Sequence, residues 1–245
     1  MFIFYQPGID QEEHYLDKEE SRHCIKVLRK QEGDSIQIAD GKGHFYQAVI
    51  SQANDKKCTF SITKTSIIPK DNFSIHIALS PTKNIDRTEW FVEKAVEIGV
   101  HHISFILCEN SERKVLKLDR LERKAISAMK QSQHAYLPEI HPLISLQSFL
   151  KQQATEAEKY IAYLGDEPSP QLINATQARQ NYVVLIGPEG DFSSKEVKMA
   201  VENGFKAVSL GNSRLRTETA GIVACHSLQL LQQLAASPFA ESRNT

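Results

Sequence analysis

The chain is poor in cysteine, and the cysteines it has are scattered. Cys24, Cys58, Cys108 and Cys225 are the four, and no two stand at Cys-x-x-Cys spacing. That pattern argues against a thiolate zinc site or a dithiol redox centre and suits free thiols packed as small hydrophobes. The adjacent pairs His101-His102 and Cys225-His226 diverge on any regular element, so no metal site is expected. No apolar stretch approaches the ~20 residues of a membrane span. The first residues, Met1-Phe2-Ile3-Phe4-Tyr5-Gln6-Pro7, carry neither a basic region nor an apolar signal core. These absences lead to the expectation of a cytoplasmic protein with no membrane partner. Internal repeats and low-complexity tracts are also lacking. So are G-x-G-x-x-G and the P-loop, which argues against a dinucleotide or nucleoside triphosphate site.

An excess of one sign of charge is missing too: the formal net charge is −1. A nucleic-acid-binding domain often has a pI above ~9, whereas this chain's is about 6.8. The distribution is less even than the sum. Residues 111–134 carry seven Lys/Arg against three acids, and residues 135–205 carry five against nine. A basic segment beside an acidic one can hold a polyanion on one face of a neutral protein. A solvated helix face is the plainer alternative.

What is present suits a folded protein of one large domain or two smaller ones: 245 residues, 41% hydrophobic and 24% charged. Residues 1–70 read as a small β-barrel-like module with one short helix. A helix over 17–28 is followed by the alternating strand Ser35 to Asp40, the Asp40-Gly41-Lys42-Gly43 hairpin and further strands over 44–52 and 57–65. A linker is expected at 67–72. Beyond it strands and helices alternate: strands at 74–80, 102–107, 160–165 and 182–187, helices at 87–99, 116–133 and 220–234. Trp90, Phe91, Ala95, Val96 and Ile98 form the apolar face of the second helix. Alternation of this kind marks a parallel sheet covered by helices.

Two strand-loop-helix junctions carry the chemistry. In the first, Val183-Val184-Leu185-Ile186 runs into Gly187-Pro188-Glu189-Gly190, after which Ser193-x-x-Glu196 opens a helix as a capping box. In the second, Ala207-Val208-Ser209-Leu210 runs into a glycine loop with two arginines, ending in Thr217-Glu218-Thr219 at a helix start. Ligands of open α/β sheets bind at the carboxyl ends of strands, and helix starts present unpaired N–H groups. Gly187 and Gly190 would admit a ligand close to the backbone.

Together, Gly187 to Gly190, Leu210-Gly211 and Leu215-Arg216-Thr217-Glu218-Thr219-Ala220 resemble the C-terminal motifs of the ribosomal RNA small subunit methyltransferase E family (RsmE), of the SPOUT superfamily. His23-x-x-Lys26-Val27-Leu28-Arg29 resembles its N-terminal PUA-like module. Glu93 to Val100 and Ala128 to Ser132 with Pro138-Glu139-Ile140 resemble further family motifs. The chain departs from the pattern at Asp191, where the family usually has glycine, and at His134, where it usually has arginine.

The resemblance implies a PUA-like RNA-binding domain over 1–70 and, over 71–245, an α/β SPOUT domain with a parallel sheet and a C-terminal trefoil knot. It implies methylation of N3 of a uridine in 16S ribosomal RNA by a homodimer, with S-adenosylmethionine as cofactor. The cofactor would sit among Leu164, Ile186, Gly187, Glu189, Gly190, Leu210, Gly211, Leu215, Arg216, Thr217 and Ala220. Arg216 would favour the uridine anion, and Glu218 or Glu189 could take the proton; a carboxylate at 218 could instead only stabilise its helix, by ~0.3–1 kcal/mol. RNA contacts would come from Arg22, Lys26 and Arg29, whose spacing shares a helix face, and from Arg113, Arg120 and Lys124. The rival readings are a SPOUT methyltransferase with another RNA target and a non-catalytic RNA-binding or ribosome-assembly factor.

Overall fold

The computed structural model describes residues 2–9, 14–152, 156–163, 165 and 168–236. They divide into two compact units, one of residues 1–70 and 125–137 and one of residues 71–124 and 138–245.

The first unit is built on four strands, β1 (Ile3–Tyr5), β2 (Ser35–Ala39), β3 (His44–Gln52) and β4 (Thr59–Ile67), in that spatial order. β1 lies parallel to β2 and the other pairs are antiparallel. Two register shifts between β3 and β4 curl the sheet around Phe4, Ile38, Ile50 and Phe60. The β2–β3 hairpin turns on Asp40, whose Oδ1 accepts from the N–H groups of Lys42 (2.7 Å) and His44 (3.1 Å). The strand β4 extends through Ile67, into the expected linker.

The expected helix over 17–28 is two pieces. Asp17 caps α1 (Lys18–Arg22) by accepting from Glu20 N–H at 2.8 Å. The chain then widens into a π-turn over His23–Val27, in which Leu28 N–H bonds His23 C=O at 2.9 Å. Arg29 falls outside it, with a left-handed φ of +55°, while Lys30 N–H reaches back to Cys24 C=O. Arg29 therefore does not share a helix face with Arg22 and Lys26. Residues 125–137 complete this unit: Gly43 N–H donates to Ala135 C=O and Leu137 N–H to Gly41 C=O, while Lys130 pairs with Glu20.

The second unit holds a six-stranded parallel sheet. Its strands are β5 (Ser74–Leu79), β6 (His102–Leu107), β7 (Glu139–Ser145), β8 (Glu158–Ala162), β9 (Asn181–Ile186) and β10 (Lys206–Val208), in the order β10-β8-β9-β5-β6-β7. β7 was not foreseen. It contains Pro142, which cannot donate to a ladder, and the strand accommodates it at an edge with a register shift opposite Ser104/Phe105.

Helices α4 (Leu146–Lys151) and α6 (Ser194–Glu202) contribute Phe149, Leu150 and Ala200 to a core with Ala78, Ile106, Ile161 and Leu185 of the sheet. The capping box of α6 is present, Ser193 bonding Glu196 N–H and Glu196 returning to Ser193 N–H. Helices α2 (Ile85–Ile98) and α7 (Thr217–Ala236) pack against each other, and α7 lies on β5. α2 starts at the Asn84 cap and stops at Gly99, whose φ of +102° is left-handed. Trp90, expected in the buried stripe of α2, is 44% exposed, while Phe91, Ala95 and Val96 are buried. The α3 helix (Leu118–Ser132) ends with Gln133 in the left-handed region and His134 N–H bonded to Met129 C=O. The short α5 (Leu172–Ala175) follows β8. All four cysteines are buried free thiols, and burial pushes that of Cys225 up to about 12.

Candidate active site

Three adjacent strands end at the same level. Val208, the last residue of β10, pairs with Ala162, the last of β8, and Ala162 pairs with Ile186, the last of β9. This row lines a cleft of about 290 Å³ at the carboxyl edge of the sheet. Its walls are the loops that follow those strands. Tyr163 comes from the first, Gly187, Pro188, Glu189 and Asp191 from the second, and Ser209, Leu210, Gly211, Ser213, Arg214, Leu215 and Arg216 from the third. Helix α7 adds Thr217 and Ala220.

The loops are tied to one another. Thr217 is buried, and its hydroxyl donates to Gly187 C=O at 3.0 Å, joining the two junctions read in the sequence. Ser209 Oγ accepts from Gly211 N–H at 3.1 Å, and Gly211 has φ +126°, a conformation open to glycine. Ala220 N–H donates to Arg216 C=O at 2.8 Å, which makes this the first turn of α7. Replacing Thr217 with valine keeps its shape but removes the bond to Gly187. We expect a loss of roughly 1–2 kcal/mol in stability and weaker cofactor binding, read by thermal melting and calorimetry.

Most of the expected cofactor residues meet here: Ile186, Gly187, Glu189, Leu210, Gly211, Leu215, Arg216, Thr217 and Ala220 all line the cleft. Leu164 lies outside the described residues. Gly190 does not line the cleft. A Cβ there would stand 3.1 Å from Asn110 Cβ, and Asn110 donates to the carbonyls of Gly190 and Asp191. Its smallness accommodates Asn110. At Gly187 a Cβ would meet the Phe192 ring at 3.0 Å, so that glycine also makes room within the protein.

Glu218, read as a possible proton acceptor, is not among the cleft-lining residues. Successive helical residues turn by about 100°, so while Thr217 faces Gly187, Glu218 is buried and stands 3.8 Å from Arg87 Nε of α2. Among the described residues its Oε2 has no hydrogen-bond partner. Glu189 does line the cleft, and its Oε1 accepts from Lys83 N–H at 2.9 Å.

The sequence reading missed Ala162, Tyr163, Asp191, Val208 and Ser209 as cleft residues, and within the loop from Leu210 to Ala220 it singled out neither Ser213 nor Arg214. Asp191 had a readable signal, since it stands where the resembling family has glycine. Its φ of +63° is left-handed, which glycine adopts freely and aspartate tolerates better than most residues. Its Oδ1 accepts from Phe192 N–H at 2.8 Å, fixing the turn. Arg214 and Arg216, both exposed, face the same cleft as Glu189 and Asp191, so both signs of charge meet there.

The residues expected to hold RNA are placed as follows. Arg22, Lys26 and Arg29 are exposed on the first unit, Lys26 lying 3.5 Å from Asp55. In the second unit, Arg113 donates to the backbone carbonyls of Thr82 (3.0 Å) and Lys83 (2.6 Å). Arg120 pairs with Glu89 and Asp86, and Lys124 with Glu93 at 3.2 Å. Those three already have partners, for a local reason: acids of α2 face Arg120 and Lys124 of α3, and carbonyls of the loop before α2 face Arg113.

A family model described as an RNA methyltransferase domain matches residues 69–229, and one described as an RNA methyltransferase PUA domain matches residues 16–63. The ribosomal RNA small subunit methyltransferase E of Mesomycoplasma hyopneumoniae is 30% identical over 81% of this chain and 86% of its own. A probable rRNA-methyltransferase from Porphyromonas gingivalis superposes with a TM-score of 0.90 at 43% identity, covering 96% of this chain and all of that one. A ribosomal RNA small subunit methyltransferase E from Neisseria gonorrhoeae, solved bound to S-adenosyl methionine, gives 0.84 at 28% identity over 95% and 98% of the two chains. The cleft, the sheet order and these likenesses agree: the chain belongs to the ribosomal RNA small subunit methyltransferase E family.

Proposed function

We propose that this chain methylates N3 of a uridine in 16S ribosomal RNA, with S-adenosylmethionine held in the cleft. The observation that carries the reading is the position of Arg216, on the same cleft as the apolar residues Ile186, Leu210 and Leu215. The lining suits the cofactor in chemistry. The apolar trio suits a flat base, the loop backbone offers donors and acceptors, and charges of both signs suit a cofactor that is both sulfonium and amino acid. That cofactor supplies an activated methyl group, so the side chains need only position and deprotonate the acceptor.

The residues then divide the work. The loops hold the acceptor nitrogen in line with the methyl group. Arg216 stabilises the uracil oxygens as the N3 proton leaves and negative charge builds. Of the two carboxylates considered, Glu189 lines the cleft and is assigned the proton. Glu218, buried beside Arg87, is assigned a positioning role at the start of α7.

The 1–70 segment is proposed to bind RNA through Arg22, Lys26 and Arg29. Arg120 and Lys124 would exchange carboxylate partners for phosphates, and Arg113 would hold the Thr82-Lys83 loop. A homodimer is proposed from the exposed apolar residues Trp90 of α2 and Leu230 and Leu234 of α7. No described helix is long and apolar enough to cross a membrane, and a ribosomal RNA substrate supports a cytoplasmic location.

The test is nucleoside mass spectrometry of 16S ribosomal RNA from cells lacking the protein. The expected result is loss of N3-methyluridine and its return when the chain is supplied. An unchanged modification profile overturns the reading, as does absence of S-adenosylmethionine binding by folded protein in calorimetry.

A further inference from the structure

At the end of the parallel sheet opposite the cleft, three neighbouring strands each carry an imidazole within their first three residues: His76, His102 and His141. His76 of β5 pairs in register with His102 of β6, and His102 with Glu139 of β7. Two residues on, Ser104 stands opposite His141. Side chains at i and i+2 of a strand share a face, so this register collects His76, His102, Ser104, Glu139 and His141 on one side of the sheet. The sequence shows His102 only as half of an adjacent pair; its neighbour His101 turns away to Asp71 and Phe73.

The rings crowd together. Those of His102 and His141 lie 6.0 Å apart and within 12° of parallel, and His76 lies 5.5 and 5.8 Å from them. Glu139 Oε2 stands 3.5 Å from His102 Nδ1 and 3.9 Å from His141 Nε2. Both distances are longer than the ~2.7–3.2 Å of an N–H···O hydrogen bond. They are close to the separation of neighbouring ligands on one cation: donors ~2.0–2.2 Å from a tetrahedral zinc stand about 3.3–3.5 Å apart. The ligand atoms of all three residues lie within 4.8 Å of one another.

We propose that His102, Glu139 and His141 form a binding site for a divalent transition metal, with zinc the best suited. Two imidazole nitrogens are borderline donors that favour zinc over magnesium or calcium, the harder carboxylate oxygen is a ligand zinc also accepts, and three ligands leave a fourth position for water. His76 is not a ligand in this scheme. Its Nε2 is engaged with Ser104 Oγ at 2.8 Å, and its ring packs edge-on against Phe149, so it forms the wall behind the site. The strands run from this site to the cleft edge, and six residues of strand span roughly 20 Å. The metal therefore takes no part in methyl transfer. It clips the edge strand β7 to β6, where Pro142 and the register shift interrupt the ladder.

The test uses the full chain without a histidine tag, stripped with chelator. Calorimetric titration with zinc chloride should show one equivalent bound at micromolar or tighter dissociation constant. Cobalt(II) in its place should give the intense visible bands of a tetrahedral site. Glu139→Gln and His141→Ala, both at surface-accessible positions, should each weaken binding roughly tenfold or more. Replacing the exposed His226, remote in sequence from the cluster, with alanine should leave it unchanged. Zinc should raise the melting temperature of the wild type but not of those two cluster variants. Absence of saturable binding of either ion, or binding that both cluster variants retain at full strength, overturns the proposal.

Discussion

Arg216→Ala should lower N3-methyluridine formation by about 10²–10³-fold while leaving S-adenosylmethionine binding within a few-fold of wild type. The split follows from where the charge is used. Neutral uridine and its N3 anion differ by one negative charge spread over the carbonyl oxygens, and only the anion gains from a guanidinium at the cleft. An interaction made chiefly in the transition state appears in kcat rather than in ground-state binding. Arg216 can be removed without harm to the fold, because its side chain is exposed and the part it plays in α7 is through its backbone carbonyl. Arg216→Lys should recover part of the rate, since it restores charge without the planar fork. Single-turnover assays on ribosomal RNA substrate, with calorimetry on the same preparations, make the comparison. Equal losses in binding and turnover would reassign the residue to holding the cofactor.

Gly221→Ala should be the most damaging single-methyl change in the second unit. The added Cβ would meet Phe91 Cε2 at 2.5 Å, Phe91 Cδ2 at 2.8 Å and Leu79 Cδ1 at 2.9 Å. Both neighbours are fully buried, so neither can swing into solvent. Two effects oppose each other. Alanine in mid-helix gains roughly 1 kcal/mol over glycine in propensity, whereas overpacking a tight core costs ~1–3 kcal/mol and occasionally more. With contacts this short on two elements, the clash wins, and thermal melting should fall by roughly 5 °C. A displaced α7 also carries Thr217 away from Gly187, so cofactor affinity should drop with stability. Gly221→Val should do both more severely. A melting temperature unchanged or raised by the alanine would show that α2 and α7 are packed less tightly than this geometry requires.

The parts of the structure legible in the sequence were those written locally. Ser193 and Glu196 announce the start of α6 because a capping box is a four-residue affair. Gly99 announces the end of α2 because its φ is one that side chains resist. The cleft was found because two glycine loops follow two apolar strands. Its floor was not legible: Val208, Ala162 and Ile186 meet through strand pairings that skip across the chain, and no local pattern encodes that order. β7 was missed because Pro142 breaks the alternation, and only an edge position with a bulge makes it tolerable. The π-turn after Arg22 was missed because its apolar spacing resembles that of an ordinary helix over so few residues. The directions of Glu218 and Gly190 depended on what each packs against, Arg87 and Asn110, which spacing does not report.

The membership of residues 125–137 has a consequence for how this protein can change over time. The strand segment 1–70 does not close its own fold; Ala135 and Leu137 complete its hydrogen bonds, and those residues are encoded inside the other unit's stretch of sequence. A single recombination event or a single truncation at residue 70 therefore cannot lift out an intact module. Each half would be left with an unpaired remnant, the fragment beginning at residue 71 with an amphipathic helix end stripped of its partners. Transfer of this unit between relatives takes two segments of sequence, 1–70 and 125–137, rather than one.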